Sequence, residues 1–313
     1  TYLREVIVVH DVYSYGIIAQ STLCTLEGDF PPRAGYQEIV DVAEAGNTVG
    51  GEATGSAYVL ARLGIRTKLD GSWLAADDAS RRIIGLLSDA GVDCSRIRLR
   101  DDAETLREFV FADGETRTVF GNYGRVLRGD RAWNEASGDD IRASRIVCLD
   151  PFLGEQSLQA AAMCVETGTP YVTIDVPPDS PVGKGAVVLI VSEEYRTRTL
   201  GGGDREEALA AYTEEGSGLV ILTDGASPVL YGRRGSSPAS FTPFPVEVVD
   251  TTGAGDAMRA GIIYGLFNGL AGTDLIRAGC AVAGMVCERM PGFINSPTEA
   301  ELTGFLQSHG RVT

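Results

Sequence analysis

Asp250-Thr251-Thr252-Gly253-Ala254-Gly255-Asp256 runs directly into Ala257–Leu270, AMRAGIIYGLFNGL, and this junction decides how the chain is read. A glycine-rich turn entering a helix aims several backbone N–H groups at one point, an anion hole suited to a phosphoryl group in transfer. Asp256 falls in the first helical turn, within reach of a substrate hydroxyl in the same cavity. Phosphoryl transfer asks little of its base, so a carboxylate kept ionised by the helix dipole suffices. The same residues also fit a plain N-cap aspartate behind a turn. A dinucleotide loop is excluded, because G-x-G-x-x-G would need glycine where Met258 stands.

Outward from that junction, strands alternate with helices. Val6–Val9 suits a buried strand ending at His10, which would face a cleft or simply cap the strand. Thr54–Leu63 and Ser80–Ala90 have helical spacing and stop at Gly64 and Gly91. Apolar runs at Ile146–Leu149, Tyr171–Ile174, Val187–Val191 and Leu219–Thr223 are interleaved with helical stretches near 155–166, 204–215, 256–268 and 273–288. This order predicts an α/β fold with a mainly parallel sheet covered on both faces. Residues 12–45 and 96–124 break the alternation, the second as an antiparallel ribbon turning at Asp113-Gly114. Both read as sheet-like inserts forming a lid within one domain spanning 1–313. Residues 233–245 read as a surface loop.

Composition removes several classes. The net charge of −16 disfavours nucleic acid and anionic membranes as partners. Six scattered cysteines with no C-x-x-C pair read as free thiols of a cytoplasmic protein. Lys68 and Lys184 are the only lysines and His10 and His309 the only histidines. Neither lysine lies in a P-loop, and no G-x-S-x-G elbow occurs.

The seven residues 250–256 resemble the signature of the ribokinase-like (PfkB) carbohydrate kinase family. Gly50-Gly51 resembles its N-terminal di-glycine, Gly71-Ser72-Trp73 through Asp93 its second stretch, and Thr223-Asp224-Gly225-Ala226 its nucleotide turn. Gly292 to Ser296 lies where that family closes its adenine pocket and a monovalent-cation site. The resemblance implies a three-layer αβα fold with a small β-sheet lid, and an ATP-dependent kinase acting on a sugar or sugar acid. It implies Asp256 as base and Gly253, Ala254 and Gly255 as the anion hole. Ser192, Thr223 and Gly225 would line the nucleotide site, and Asp250, Thr252 and Ser296 would hold K⁺. Mg²⁺ would bridge the ATP phosphates, with Glu194 as its organiser.

The sugar end departs from the pattern. The family's first strand commonly ends in glycine with aspartate five residues later. Here those places read as His10 and Tyr15, with Asp11 nearby. Gly55 stands where asparagine is usual, and N-x-x-E becomes Ser192-Glu193-Glu194-Tyr195. Tyr123 and Arg125 are candidate substrate readers, Arg125 as a fork for a carboxylate or phosphate, with a solvated lid edge the alternative. Gly50 and Gly51 are expected to hinge the lid, and the lid's exposed face to pair two subunits. A nucleoside kinase of the same fold, or a catalytically weak metabolite-binding sensor, are the competing readings.

Overall fold

The computed structural model describes residues 10–44, 46–113 and 116–310, so the strand expected at Val6–Val9 lies outside the described residues. The chain enters through β1 (Val12–Gly16), β2 (Ala19–Leu26) and β3 (Ile39–Ala43). α1 (Glu52–Arg62), β4 (Thr67–Gly71) and β5 (Leu74–Ala75) follow, then α2 (Asp78–Asp89) and β6 (Leu99–Arg100). β7 (Leu106–Ala112) and β8 (Arg117–Gly121) pair antiparallel, succeeded by the short helices α3 (Tyr123–Leu127) and α4 (Gly138–Ala143). β9 (Ile146–Leu149), α5 (Glu155–Thr167), β10 (Tyr171–Ile174), α6 (Pro181–Lys184) and β11 (Val188–Val191) alternate. α7 (Glu193–Leu200) and α8 (Arg205–Glu214) precede β12 (Leu219–Leu222), β13 (Val229–Gly232) and β14 (Ala239–Phe241). α9 (Ala254–Phe267), α10 (Gly272–Cys287) and α11 (Glu299–Ser308) come last.

The main sheet has the order β14-β13-β12-β11-β10-β9-β1-β4. It is parallel from β12 to β4 and antiparallel at β13 and β14. Strand side chains alternate between faces, and the buried residues divide accordingly. Val12, Cys148, Val188 and Ile221 pack with Ala57, Ile83, Ile262 and Val282 from α1, α2, α9 and α10. Their neighbours Tyr13, Val147, Leu189 and Val220 pack with Ala160 and Cys164 of α5 and with Leu209 and Tyr212 of α8. The result is a three-layer αβα domain. Gly64 and Gly91 follow their helices at φ 80° and 94°, as the stop signals require.

Three boundaries differ from the sequence reading. β1 lies inside the segment assigned to the lid. Its VYSYG sequence shows no apolar run because its polar tips find buried partners: Tyr13 Oη donates to Asp70 (2.7 Å), Ser14 Oγ to the Ala53 carbonyl (2.8 Å) and Tyr15 Oη to the Asn134 carbonyl (2.6 Å). The smaller sheet, ordered β3-β2-β7-β8, therefore draws on residues 19–43 and 106–121, while β6 pairs with β5 instead. Residues 233–245 are not all loop, because β14 pairs there with β13 as the sheet edge.

Candidate active site

The carboxyl ends of the parallel strands deliver Gly16, Asp150, Asp175, Ser192 and Thr223 to one edge of the sheet, where α1 and α9 begin. Open α/β sheets bind ligands at this edge. Asp150 is fully buried there; Oδ2 accepts from Ile17 N and Ala53 N (both 2.9 Å), and Oδ1 pairs with Arg259 Nη1 at 2.7 Å. Arg259, one turn after Asp256 on α9 and as buried as Asp150, also donates from Nε to Ser56 Oγ (2.8 Å), leaving Nη2 without a partner among the described residues. This ion pair joins β1, α1, β9 and α9 beneath the cleft.

Three glycines let carboxylates close on the backbone. A Cβ on Gly16 would collide with Asp150, and one on Gly50 with Glu108 of β7. On Gly55 it would stand 2.8 Å from Asp256 Oδ2. Gly55 thus brings α1 against α9 where asparagine is usual. Glu108 accepts a hydrogen bond from Tyr123 Oη, and Glu52 Oε2 is buried without a partner among the described residues. Acidic groups therefore surround the start of α1.

Burial, reinforced by Asp150, pushes the Asp256 carboxyl up to about 8, against the pull of Arg259 and Arg117. Burial raises Glu52 well above the usual range, with Asp150 and Asp256 adding to it, and burial raises Glu108 as well. This corrects the expectation that the helix dipole keeps Asp256 ionised. A dipole contributes about 0.3–1 kcal/mol, less than the roughly 1.4 kcal/mol of a single pKa unit, so burial among like charges wins.

Gly253 caps α9 at φ 76°, a left-handed conformation suited to glycine. The first intrahelical bond is made by Ala257 N to the Gly253 carbonyl (2.9 Å), so the N–H groups of Gly255 and Asp256 precede the helical ladder. Behind them Asp250 is buried, its Oδ1 accepting from Thr252 N and its Oδ2 from Gly292 N, both at 2.8 Å. Thr252 Oγ1 and Ser296 Oγ are buried without hydrogen-bond partners among the described residues. Orphaned hydroxyl oxygens of this kind, one of them on Thr252 beside the Asp250 carboxylate, suit a monovalent cation. Among the described residues no cluster of three or more His, Cys, Asp or Glu is arranged for a metal.

On the far side, Ser192 caps α7, its Oγ accepting from Tyr195 N (3.0 Å) and donating to Asp175 (2.9 Å). Thr223 and Gly225 follow β12, Gly225 at φ 52°. Glu194 lies in the first turn of α7, side chain 65% exposed, beside Arg198 at 3.3 Å.

Asp11 is not brought to this edge. It precedes β1, at the opposite end of the strand from Gly16, and is held by Arg66 (2.7 and 3.0 Å), which lowers its carboxyl. His10 beside it contacts the Asp140 carbonyl at 3.3 Å rather than a cleft. Because β1 ends at Gly16, that glycine takes the strand-end place assigned to His10, and Ser21 the place assigned to Tyr15. Tyr123 reaches the site through Glu108, whereas Arg125 is 72% exposed and pairs with Glu104. Sequence reasoning missed Glu52, Glu108, Arg117, Asp150, Asp175 and Arg259. Two had a legible signal: Asp150 directly follows a buried strand, and Arg259 is a lone charge inside an apolar helix.

The sequence matches the pfkB family carbohydrate kinase description over residues 10–299. A 5-dehydro-2-deoxygluconokinase of Geobacillus kaustophilus is 23% identical over 288 residues, covering 83% of this chain and 85% of that one. A putative ribokinase from Agrobacterium tumefaciens superposes with a TM-score of 0.82 at 23% identity, over 96% of this chain and 98% of that one. The Arabidopsis thaliana ribokinase complexed with ribose and ATP gives 0.78 at 19% identity, over 95% and 98%. The chain belongs to the pfkB family of carbohydrate kinases. It is accordingly an ATP-dependent kinase with the ribokinase fold.

Proposed function

We propose that this kinase transfers the ATP γ-phosphoryl group to a hydroxyl of a neutral, hydroxyl-rich sugar, with Asp256 as general base. The observation that carries this is the placement of Asp256 at the N-terminus of α9, against Gly55 of α1 and beside the Gly255 and Asp256 N–H groups that precede the helical ladder. Base and anion hole then stand together at one helix end, as in-line transfer needs. The acceptor hydroxyl gives its proton to Asp256 while the turn's amides take up the charge of the phosphoryl oxygens. Thr223, Gly225 and Ser192 would hold the nucleotide. Asp250, Thr252 and Ser296 would hold K⁺ and stiffen the turn. Mg²⁺, arriving on the nucleotide, would neutralise phosphate charge near Glu194, Ser192 and Asp175.

Acceptor charge follows from the acids around α1. Glu52, Glu108 and Asp256 crowd that end as carboxyls pushed to hold their protons, groups that hydrogen-bond hydroxyls and offer a carboxylate no counter-charge, and Arg125, the residue suited to one, is engaged with Glu104 on the surface. A neutral sugar is therefore favoured over a sugar acid. The β3-β2-β7-β8 sheet would act as the lid, excluding water so that ATP is not simply hydrolysed. Its outer face carries Phe109 beside Phe120, with Phe30, Val40 and Val42, all at least 40% exposed. That apolar face would pair two subunits. All six cysteines are free, in keeping with a reducing cytoplasm.

Magnesium-dependent ADP release, measured across neutral sugars, sugar acids and nucleosides, tests the assignment. Turnover should appear with neutral sugars and fail with acids of the same length. Turnover confined to nucleosides would replace the acceptor class, and none with any acceptor would leave a metabolite-binding protein.

A further inference from the structure

The inner face of the small sheet has two chemically opposite ends. Ser21, Glu108 and Gly121 lie side by side in one row, and Thr25, Ala112 and Arg117 in another four residues along. At about 3.3 Å per residue these rows are about 13 Å apart. The first row sets Glu108 against Gly50, at the start of α1. The second reaches the other side of the cleft, where Thr25 Oγ1 meets Met290 Sδ at 3.6 Å and Arg117 Nη1 lies 3.4 Å from the Thr251 carbonyl. Arg117 Nη2 is also 3.9 Å from Glu194. Glu108 thus faces the acceptor end, and Arg117 overhangs residue 251, two positions before the anion hole.

We propose that Arg117 is a phosphoryl-binding catalytic residue, carried by the lid and clamping the transferred group from the side opposite the Gly253–Gly255 amides. The proposal rests on the kinase function argued above and assigns it a further residue. Both lysines are committed elsewhere, Lys68 to Asp140 at 2.8 Å and Lys184 to Glu215 at 2.6 Å. Arg259 is fixed beneath the cleft by Asp150 and Ser56. Arg117, in contrast, is a third exposed and, among the described residues, held only by two long contacts, so exchanging them for phosphate oxygens costs little. A guanidinium fork matches the oxygens of a phosphoryl group bidentately. Its positive charge already reaches the carboxyls of Asp256 and Glu108, holding both lower than burial alone would leave them.

In the transfer step the bond from the γ-phosphorus to the β-phosphate bridging oxygen breaks and its electron pair leaves on ADP. A bond from phosphorus to the acceptor oxygen forms, and the acceptor proton passes to Asp256. Arg117 joins neither bond and stabilises the equatorial oxygens while they carry the most charge. Because β8 delivers it, transfer is complete only with the lid in place, which ties catalysis to closure.

Arg117→Met and Arg117→Lys test this, using steady-state kinetics and binding of ADP alone against ADP with aluminium fluoride, in magnesium and with the acceptor present. Arg117→Met should lower kcat about 100-fold, the range for one lost oxyanion donor. It should weaken the aluminium fluoride complex by a similar factor and leave ADP affinity within about 2-fold. Arg117→Lys should regain part of both. A kcat within about 3-fold of wild type, or equal weakening of ADP and its aluminium fluoride complex, would overturn the assignment. If Asp256→Asn abolishes transfer while Arg117→Met does not, Asp256 keeps its role as base and Arg117 loses its role as clamp. A wild-type protein that phosphorylates no acceptor would remove both roles together.

Discussion

Asp256 holds its proton unusually tightly, and two consequences follow. Its folded-state value of about 8 lies above the ordinary 3.8, so between those pH values the folded chain binds more protons here than the unfolded one. Stability from this group is therefore fully present below about pH 4 and lost as pH rises through about 8. Asp256→Asn cannot ionise and should melt above wild type at pH 9, at about 2–4 °C per kcal/mol recovered for a chain of this size, with the gap closing near pH 5. A gap independent of pH would show that Asp256 does not titrate this way. The second consequence is kinetic: a base must be ionised in the free enzyme, so kcat/KM should fall as pH drops through about 8. A flat profile from pH 6 to 9 would contradict it. At the cation loop, the orphaned hydroxyls of Thr252 and Ser296 lead to the expectation that K⁺ raises activity above that in sodium or large organic cations. Equal rates in all three would remove that site.

Four elements meet on the Asp150–Arg259 pair, so its loss should be felt across the fold. Arg259→Met leaves a buried carboxylate with no counter-charge, and should cost about 3–5 kcal/mol in urea unfolding. Adding Asp150→Asn should recover part of it. A single-variant loss below about 1 kcal/mol would mean the pair is not the structural tie described. This junction also shows where sequence reading reached and where it stopped. Helices such as α1 and α2 and the apolar strands were legible because period and terminal glycines agree, as at Gly64 and Gly91, whereas α3, α4, α6, α7 and α11 were not. β1 was not, since two tyrosines and a serine look like loop until Asp70, Ala53 and Asn134 supply their partners. The 250–256 turn was legible as a local motif. Asp150 and Arg259 left only a local trace, a charge after a buried strand and one inside an apolar helix, because they meet across 109 residues, and Glu108 left none, because it meets Gly50 from another element. The hinge expectation also changes. Gly51 sits at φ 99° with its Cβ direction filled by the Ile17 carbonyl, so alanine there is strained. Gly51→Ala should cost about 1–3 kcal/mol before any effect on lid movement is measurable.

Among the described residues, the β3-β2-β7-β8 sheet and its β2–β3 loop carry most of the large exposed apolar side chains, among them Tyr36, Val40, Phe109 and Phe120. On a monomer such a patch would be an aggregation hazard. Sedimentation at micromolar concentration should therefore report a dimer, and Phe109→Lys with Phe120→Lys should give a monomer that remains folded. A wild-type monomer would retire the dimer while leaving the lid intact. Scattering profiles identical with and without acceptor and nucleotide would retire lid closure. On the proposed function, these features serve one chemical event, the movement of a phosphoryl group past Asp256. The most direct measurement is the turnover of folded Asp256→Asn beside wild type, by ADP release with the best acceptor and saturating magnesium ATP. A loss of at least about 100-fold in kcat with nucleotide affinity unchanged is expected of a missing general base; near-wild-type turnover would contradict it.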